Sequence, residues 1–424
     1  MILDSVQLNN FRCFTRLSLG LNPKLNVIIG SNGAGKTTIL DAISIALITF
    51  VSKFVKTNES KLAFKDTDIN NLSNHSYINC SIDSHHWQVE RNFQSNKTKQ
   101  VSPELDSIIS KIYNELKLNS LASVPIVAYY SVNRTIFDDK YKYNIKNLFP
   151  EYQQFIAYRN CFHTEINNFS EFVQWFEIEE GYEDKIRLES DNNYRNPKLK
   201  SIRTSIEVFL SYFGNQISKF SNLRIKKIRD ERIANNPIVT SLVINKNGND
   251  YQLSQLSSGE KMMLMLVVDI ARRLTIANPA LSNPLDGFGI VLIDEIELHL
   301  HPQWQREILP ALNKTFSNLQ FIVTTHSPQV LSKIKNESIR LIEQDTIVDF
   351  APITYGKDSN SILYDAFNTL ERPKEIHEML NLCFQKIDGN EIVEAEKILG
   401  ELTAILGEND TEVIRAKTLI MMVE

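Results

Sequence analysis

A glycine-rich segment, GSNGAGKT at residues 30–37, limits the folds available to this chain. It follows a short apolar run at residues 27–29 and precedes a stretch of helical character at residues 38–48. In such a loop the backbone N–H groups turn inward, because glycine tolerates the turns and the close approach of phosphate oxygens. The helix that follows adds the positive end of its dipole. An apolar strand, this loop and a helix in that order predict a phosphate-binding site on an α/β fold.

We expect this loop to bind ATP together with Mg²⁺. Lys36 is expected to reach the β- and γ-phosphates, and Thr37 is expected to bind Mg²⁺ through its hydroxyl. A simple glycine turn before a helix is the alternative, but the complete motif in this context favours phosphate binding. The residues predicted to contact the nucleotide are Asn32, Gly33, Ala34, Gly35, Lys36, Thr37 and Thr38.

Two adjacent carboxylates, Asp294 and Glu295, end a second apolar run at residues 290–293. We expect Asp294, at the tip of a buried strand, to hold Mg²⁺ through its water shell. Glu295 is then the catalytic candidate, which polarises or positions the attacking water. A solvated strand end that carries two acids by chance is the alternative. Because the phosphate loop precedes the pair, the combination favours nucleotide hydrolysis.

A histidine follows the next apolar run, at His326 in TTHSP (residues 324–328). We predict that its side chain contacts the γ-phosphate and the attacking water, which makes it the second catalytic candidate. A lone histidine at a strand end is often structural. Its place one strand after the paired acids favours the catalytic role.

The segment LSSGE, at residues 256–260, predicts a second phosphate-binding helix N-terminus. One chain does not need two cradles for one γ-phosphate. We therefore predict a homodimer, or a higher homo-oligomer, in which the LSSGE segment of each copy closes over the ATP of the other. A plain helix cap made by serine and glutamate is the alternative. The nucleotide-binding candidates in this motif are Ser257, Ser258, Gly259 and Glu260.

Composition sets limits on location and partners. Hydrophobic residues make up 42% and charged residues 23% of the 424 residues, as in a soluble globular protein. No apolar run is long enough to cross a bilayer and the first residues resemble a strand, so we expect a cytoplasmic protein without a membrane partner. The net charge of −5 argues against a whole-surface contact with nucleic acid. A local contact with nucleic acid stays open at one basic cluster: Arg224, Lys226, Lys227, Arg229 and Arg232, with Lys198, Lys200 and Arg203 beside it.

The order of the four motifs resembles the ABC ATPase superfamily. Within it, NNFRCF at residues 9–14 resembles the RecF and SMC branch, and this resemblance implies that Arg12 lies near the nucleotide. The segment IDEIELHLHPQWQ, at residues 293–305, is similar to a segment of the OLD family and of ATPase subunits in bacterial anti-phage defence. Among these, the chain looks most like the Septu ATPase subunits, PtuA, which also accompany some retrons.

The resemblance implies an ATPase that dimerises around ATP and acts as a nucleotide-dependent switch or scaffold in a defence complex. It also implies a partner, the HNH-type nuclease PtuB, which cuts nucleic acid. No nuclease centre is evident in this sequence. His299 and His301 have the spacing of metal ligands in an extended segment, but no third ligand is evident nearby, and we interpret them as structural or dimer-contact residues.

The predicted fold class is α/β: an ABC-type head with a parallel phosphate-loop sheet, a flanking antiparallel β subdomain, a helical insertion and a small C-terminal helical segment. We assign residues 1–135 to an ATPase lobe with the phosphate loop and the antiparallel sheet, and 136–235 to the insertion. We assign residues 236–350 to a second ATPase lobe, which contains LSSGE, the paired acids and the histidine. Residues 351–424 are assigned to the helical segment. One apolar stripe in that segment could pack on the body, pair with another protomer or bind the nuclease; it comprises Ile392, Ala395, Leu399, Leu402 and Leu406.

Four other functions remain open at this level. A transporter motor would need a shorter separation between Lys36 and Ser257 and would lack the NNFRCF opening. An OLD-type nuclease would need a TOPRIM centre, and the residues after TTHSP offer no paired-acid motif on a strand. A DNA-repair ATPase of the RecF or SMC kind, or an OLD-like ATPase without its own nuclease centre, shares the same motifs. A clamp that binds ATP and barely hydrolyses it also fits, because Glu295 makes hydrolysis feasible without setting its rate.

Overall fold

The computed structural model divides the chain into two compact units, Met1–Lys357 and Asp358–Glu424. In the described part of the chain, no helix combines the length and the apolar character needed to span a membrane. The structure describes residues 1–55, 64–93, 97–101, 103–132, 150–162, 167–214, 219–229, 238–348 and 352–423.

The secondary structure is mixed throughout the first unit and helical in the second. The strands are β1 (Leu3–Phe11), β2 (Phe14–Gly20), β3 (Leu25–Gly30), β4 (His75–Ile82), β5 (His85–Asn92), β6 (Lys97–Val101), β7 (Ile126–Tyr130), β8 (Phe220–Arg229), β9 (Ile238–Lys246), β10 (Asn249–Gln252), β11 (Gly289–Ile293), β12 (Leu319–Thr324), β13 (Ile339–Glu343) and β14 (Thr346–Ile347). The helices are α1 (Lys36–Val51), α2 (Pro103–Leu118), α3 (Asn167–Glu189), α4 (Pro197–Ser211), α5 (Ser258–Ala277), α6 (Pro302–Thr315), α7 (Pro328–Leu331), α8 (Ser359–Phe367), α9 (Lys374–Asp388), α10 (Ile392–Leu406) and α11 (Thr411–Val423).

A six-stranded sheet in the order β14-β13-β3-β12-β11-β7 forms the centre of the first unit. All neighbouring strands are parallel except the terminal pair β13 and β14. Every residue of β3, β7, β11 and β12 is buried, as expected of a parallel sheet covered on both faces. Ligands of such sheets bind beyond the carboxyl ends of the strands. The phosphate loop, the paired acids and TTHSP all follow such ends, so the fold gathers them at one edge.

Two antiparallel sheets accompany the parallel one. The first has the order β2-β1-β4-β5-β6 and the second has the order β10-β9-β8. Leu3, Val6, Leu8 and Phe11 of β1 are buried while the residues between them are exposed or half-buried, which fits a sheet with one face on the core. The indole of Trp87, in β5, donates to the backbone oxygen of Ala46 at 3.3 Å and so joins the first sheet to α1.

The predicted insertion at 136–235 contains, within its described residues, the helices α3 and α4 and also the strand β8. The sequence analysis did not anticipate β8, because its basic residues hide the alternation of the strand. Phe172 and Phe176 of α3 and Ile202 and Phe209 of α4 are buried, as their helical spacing predicts. The division of the chain into four segments stays a prediction.

The second unit is a set of helices with its own core. Ala395, Leu399 and Leu402 of the predicted apolar stripe are buried there, and Ile392 and Leu406 pack against the same cluster. The stripe therefore packs inside this unit. The predicted α/β class, with a parallel central sheet, a flanking antiparallel sheet and helical additions, is confirmed.

Candidate nucleotide-binding and hydrolysis site

The phosphate loop runs from the end of β3 to the start of α1. Gly33 and Gly35 both have left-handed backbone angles, with φ of 81° and 88°. A Cβ at Gly35 would lie 2.4 Å from Cζ of Phe14, so that position accepts no side chain. A Cβ at Gly33 would meet nothing within 4 Å, so this glycine faces open space in the loop. The loop therefore has the left-handed turns and the open backbone face that a phosphate cradle needs.

Lys36 lies at the start of α1 with its side chain turned back over the loop. Its Nζ donates to the backbone oxygens of Gly30 and Ser31, each at 2.9 Å. Burial lowers the pKa of Lys36 below its ordinary value, while the nearby carboxylates of Asp294 and Glu295 oppose the shift. The ammonium group of Lys36 thus lies at the end of β3, near Asp294 and Glu295, the two acids predicted to share its site.

Asp294 joins three elements at the edge of the sheet. Its Oδ2 accepts from the hydroxyl of Thr37 at 2.9 Å, and its Oδ1 accepts from the hydroxyl of Thr324 at 2.5 Å. Its backbone N–H donates to the backbone oxygen of Tyr130 at 2.8 Å. A hydroxyl and a carboxylate side by side are the oxygen ligands that Mg²⁺ accepts, so these residues fit the predicted cation.

Glu295 has a left-handed backbone with φ of 45°. Its N–H donates to the Thr324 hydroxyl at 2.8 Å, the same oxygen that donates to Asp294. A non-glycine residue at such an angle is uncommon, and such residues concentrate at active sites. The angle turns the chain directly after the tip of β11.

His326 follows β12 and is half-buried beside Lys36. Burial, and next the positive charge of Lys36, lower the pKa of the His326 imidazole, whereas Glu297 acts in the opposite sense. The backbone N–H of His326 donates to Oε1 of Glu297 at 2.6 Å, and the hydroxyl of Thr325 donates to Oε2 at 2.7 Å. Glu297 lies in the segment IDEIELHLHPQWQ, but the sequence predicted no role for it. The only available signal was its spacing, two residues after Glu295.

Arg12 also has a left-handed backbone, with φ of 48°. It forms ion pairs with Asp41 of α1 at 2.6 Å and with Asp68 at 2.9 Å. The hydroxyl of Tyr129, at the end of β7, donates to the other oxygen of Asp41 at 2.9 Å. The structure thus holds Arg12 against α1 through acids that the sequence analysis did not single out. Its contact with nucleotide stays a prediction.

The LSSGE segment begins α5 with a capping box. The hydroxyl of Ser257 accepts from the N–H of Glu260 at 3.3 Å and donates to Oε2 of Glu260 at 2.9 Å. Lys246 pairs with the other Glu260 oxygen at 2.8 Å. A Cβ on Gly259 would lie 2.7 Å from the backbone oxygen of His299, so the motif packs tightly on the segment after the paired acids. The capping role is therefore present, and the role of the motif toward a second copy stays a prediction.

The predicted basic cluster is largely ion-paired where the structure describes it. Lys227 pairs with Glu177 at 3.3 Å, and Arg224 pairs with Asp250. The neighbouring basic residues of α4 behave alike, since Lys198 pairs with Glu179 at 2.5 Å and Arg203 with Glu180 at 3.1 Å. These acids offset the positive charge that would attract a phosphate backbone. Arg232 and the side chain of Arg229 lie outside the described residues. We also expect the segment YYSVNR, at residues 129–134, to do the work of the Q-loop of transporter motors; its Asn133 and Arg134 lie outside the described residues as well.

Hydrogen bonds and charges bring Lys36, Thr37, Asp294, Glu295 and His326 together at the carboxyl ends of β3, β11 and β12. His301, in contrast, caps α6, because its Nδ1 accepts from the backbone N–H of Gln303 at 3.3 Å. This assembly offers a cation to phosphate oxygens, oxygen ligands to Mg²⁺ and a carboxylate to water. It can therefore support hydrolysis of a nucleoside triphosphate.

The family described as "AAA domain, putative AbiEii toxin, Type IV TA system" matches residues 25–332 of the chain. The chain is 34% identical to "Retron Vc95 probable ATPase" of Vibrio cholerae serotype O1 biovar El Tor, over 81% of this chain and 73% of that protein. It is 29% identical to "Retron Ec83 probable ATPase" of Escherichia coli, over 97% of this chain and 85% of that protein. It is 22% identical to "Septu protein PtuA" of Bacillus thuringiensis, over 82% of this chain and 78% of that protein.

The family match covers well over half of the chain. It includes the phosphate loop, LSSGE, the paired acids and the histidine after β12. The similarity to the retron and Septu proteins extends over most of the chain in each case. The chain belongs to this AAA-domain family, as a nucleotide-binding ABC-type ATPase near the retron and Septu ATPases.

Proposed function

We propose that this chain is the ATP-driven switch of a bacterial anti-phage defence complex in the cytoplasm. In this proposal it pairs with a second copy around ATP and regulates an HNH-type nuclease partner that cleaves nucleic acid. The observation that carries the ATP part is the Thr37–Asp294–Thr324 cluster beside Lys36 and Glu295. The similarity to retron and Septu proteins supports the defence part.

In this proposal, five side chains carry out hydrolysis. Lys36 exchanges the carbonyl oxygens of Gly30 and Ser31 for the β- and γ-phosphate oxygens of ATP. Thr37 and Asp294 are the residues that would hold Mg²⁺, which supplies charge neutralisation to the phosphates.

Glu295 accepts a proton from the attacking water as the water oxygen bonds to the γ-phosphorus. The bond from that phosphorus to the β–γ bridging oxygen breaks, and ADP and inorganic phosphate leave. His326, whose pKa is lowered by burial and by the charge of Lys36, contacts the γ-phosphate and orients the water. The open face of Gly33 and the positive end of α1 receive the phosphate chain.

The start of α5 is proposed to close over the ATP of the second copy. Ser258 is exposed at the first turn of this helix, and Ser257 and Glu260 fix the geometry of that turn through their capping box. An exposed helix N-terminus attracts an anion through its free N–H groups. Closure therefore couples dimer formation to the presence of the γ-phosphate.

The ATP part is tested with Lys36→Ala and Glu295→Gln, and with Glu337→Gln as a control at an exposed glutamate of the same unit. We expect Lys36→Ala to lose binding of a fluorescent ATP analogue. Glu295→Gln is expected to bind ATP, to hydrolyse it at least about 100-fold more slowly, and to form a stable dimer in light scattering. A Glu295→Gln protein that stays monomeric with saturating ATP would show that the shared-site proposal is wrong.

The partner part is tested by affinity purification of the tagged chain from its bacterial host during phage infection. We expect mass spectrometry to find an HNH-type nuclease, and we expect its amount to differ between the wild-type chain and Lys36→Ala. Recovery of the chain without a nuclease under both conditions would contradict this part.

A further inference from the structure

We propose that Glu297 is a positioning residue that fixes the loop carrying His326. The inference rests on the ATPase mechanism proposed above and adds a third acid to it. Asp294, Glu295 and Glu297 lie within four positions of the chain, yet each has different contacts. Both carboxylate oxygens of Glu297 bind the loop after β12.

The contacts of Glu297 form a two-point clamp on adjacent residues. Its Oε1 accepts from the backbone N–H of His326 at 2.6 Å, and its Oε2 accepts from the hydroxyl of Thr325 at 2.7 Å. The same hydroxyl accepts from the N–H of Ser327 at 3.0 Å. Hydrogen bonds to an ionised carboxylate are stronger than those between neutral groups. One side chain therefore orders three consecutive residues, with His326 in the middle.

The loop needs such a clamp because the sheet ends before it. β12 ends at Thr324, and the last bonds to neighbouring backbone are Ile296 N–H to Thr324 oxygen at 3.1 Å and Thr325 N–H to Ile28 oxygen at 3.3 Å. Beyond this point, His326 N–H has a side-chain acceptor in place of a strand partner. Without Glu297 that N–H would lose this acceptor, and the backbone at His326 would lose a bond that fixes its position.

A second contact supports the same loop from the start of α6. The hydroxyl of Ser327 donates to Oε1 of Gln305 at 2.7 Å, and Nε2 of Gln305 donates to the backbone oxygen of Leu300 at 2.9 Å. Glu297 and Gln305 thus attach residues 325–327 to the segment that follows the paired acids. Two side chains therefore join the segment containing the catalytic candidate Glu295 to the loop containing His326.

The chemistry of Glu297 differs from that of a general base. Both of its oxygens accept hydrogen bonds from the loop, so its carboxylate is engaged by Thr325 and His326. Its negative charge also opposes the effect of Lys36 on His326. Glu297 acts through His326, so its removal matters only while His326 is present.

The test is a double-mutant cycle with Glu297→Gln and His326→Ala in the full chain. Glutamine keeps the size of the side chain, but its amide nitrogen cannot accept a bond from either loop donor. We expect kcat for ATP to fall about 100-fold in Glu297→Gln, with KM changed less than about threefold, because misplacing a catalytic group has this scale of effect. In the His326→Ala background, Glu297→Gln is expected to lower kcat by less than about threefold.

Two further variants complete the design. Glu307→Gln is the matched control, since Glu307 is an ion-paired glutamate of α6 that contacts Lys333 instead. Thr325→Val removes only one of the two clamp bonds and is expected to lower kcat by about tenfold. In the Glu297→Gln background, Thr325→Val is expected to lower kcat by less than this, because both changes break the same clamp. A kcat of Glu297→Gln within about threefold of wild type, or a full additive loss in the His326→Ala background, overturns the proposal.

A readout without hydrolysis separates this proposal from the proposed ATPase function. In protein labelled with ¹³C-histidine, the ring signal of His326 is assigned by its disappearance in His326→Ala. We expect this signal to shift or broaden in Glu297→Gln and to stay unchanged in Glu307→Gln, with no ATP added. If the wild type hydrolyses no ATP while the signal still moves, the proposed function fails and the positioning role stands. An unchanged signal overturns the positioning role.

Discussion

Replacing Asp269 by asparagine should destabilise the first unit by breaking a buried ionic network. Asp269, in α5, accepts from Arg272 at 2.9 Å, from Arg273 at 2.8 Å and from the hydroxyl of Tyr130 at 2.8 Å. Arg273 is 0% exposed and also donates to the backbone oxygens of Ala157 and Arg159. The network joins the helix that begins with LSSGE to the end of β7.

The magnitude follows from what the substitution leaves behind. Asparagine keeps the volume of the side chain but removes the negative charge, so the guanidinium of Arg273 stays buried without a counter-charge. Removing one partner of a buried ion pair costs about 3–5 kcal/mol. Tyr130→Phe removes a single hydrogen bond to the same carboxylate and should cost about 1–2 kcal/mol.

The assay is urea unfolding of the full chain, monitored with a probe that reports on the first unit. Asp286→Asn is the control, because Asp286 is an exposed acid of the same unit and should change the free energy of unfolding by less than about 0.5 kcal/mol. A loss below about 1 kcal/mol in Asp269→Asn would refute the conclusion that the charge of Asp269 supports α5.

Three further outcomes are expected. Gly35→Ala places a Cβ 2.4 Å from Phe14 at a φ of 88°, so it should abolish binding of a fluorescent ATP analogue, and unchanged affinity would contradict the loop geometry. Gly259→Ala places a Cβ 2.7 Å from the His299 carbonyl oxygen; ATP binding should persist while kcat falls at least about tenfold in a phosphate-release assay. The pKa of Asp269 is lowered from 3.8 to about 2 because the charges of Arg273 and Arg272 outweigh its burial. Its contribution to the free energy of unfolding is therefore complete above pH 3.8 and lost as the pH falls toward about 2. In urea unfolding across this range, the free energy of unfolding should fall less with pH in Asp269→Asn than in the wild type.

Sequence reasoning succeeded where one short segment contains the whole signal. The phosphate loop and the buried strand before Asp294 each depend on neighbours in the chain, and each has the local structure that was predicted. The cap of α5 by Ser257, which the sequence offered as the alternative for LSSGE, depends on neighbours as well. The shared edge of the sheet followed from the parallel connections of these strands.

The remaining features depend on residues far apart in the sequence. Tyr130 bonds to Asp269 across 139 positions, and Arg12 pairs with Asp68 across 56. Single-sequence patterns do not encode such pairings, because periodicity reports which face is buried and not which polar groups meet. Glu297 was overlooked for the same reason, since its acceptor role appears only when the loop after β12 lies against it.

The second unit has its own apolar core, and its surface charge differs from that of the rest of the chain. Residues 358–424 contain fourteen acidic and six basic side chains, a net charge of −8, whereas the whole chain has a net charge of −5. The first 357 residues alone therefore have a net charge of +3. Removing the second unit should change the ion-exchange behaviour of the protein near neutral pH, so that the shortened chain is retained by a cation exchanger and the intact chain by an anion exchanger.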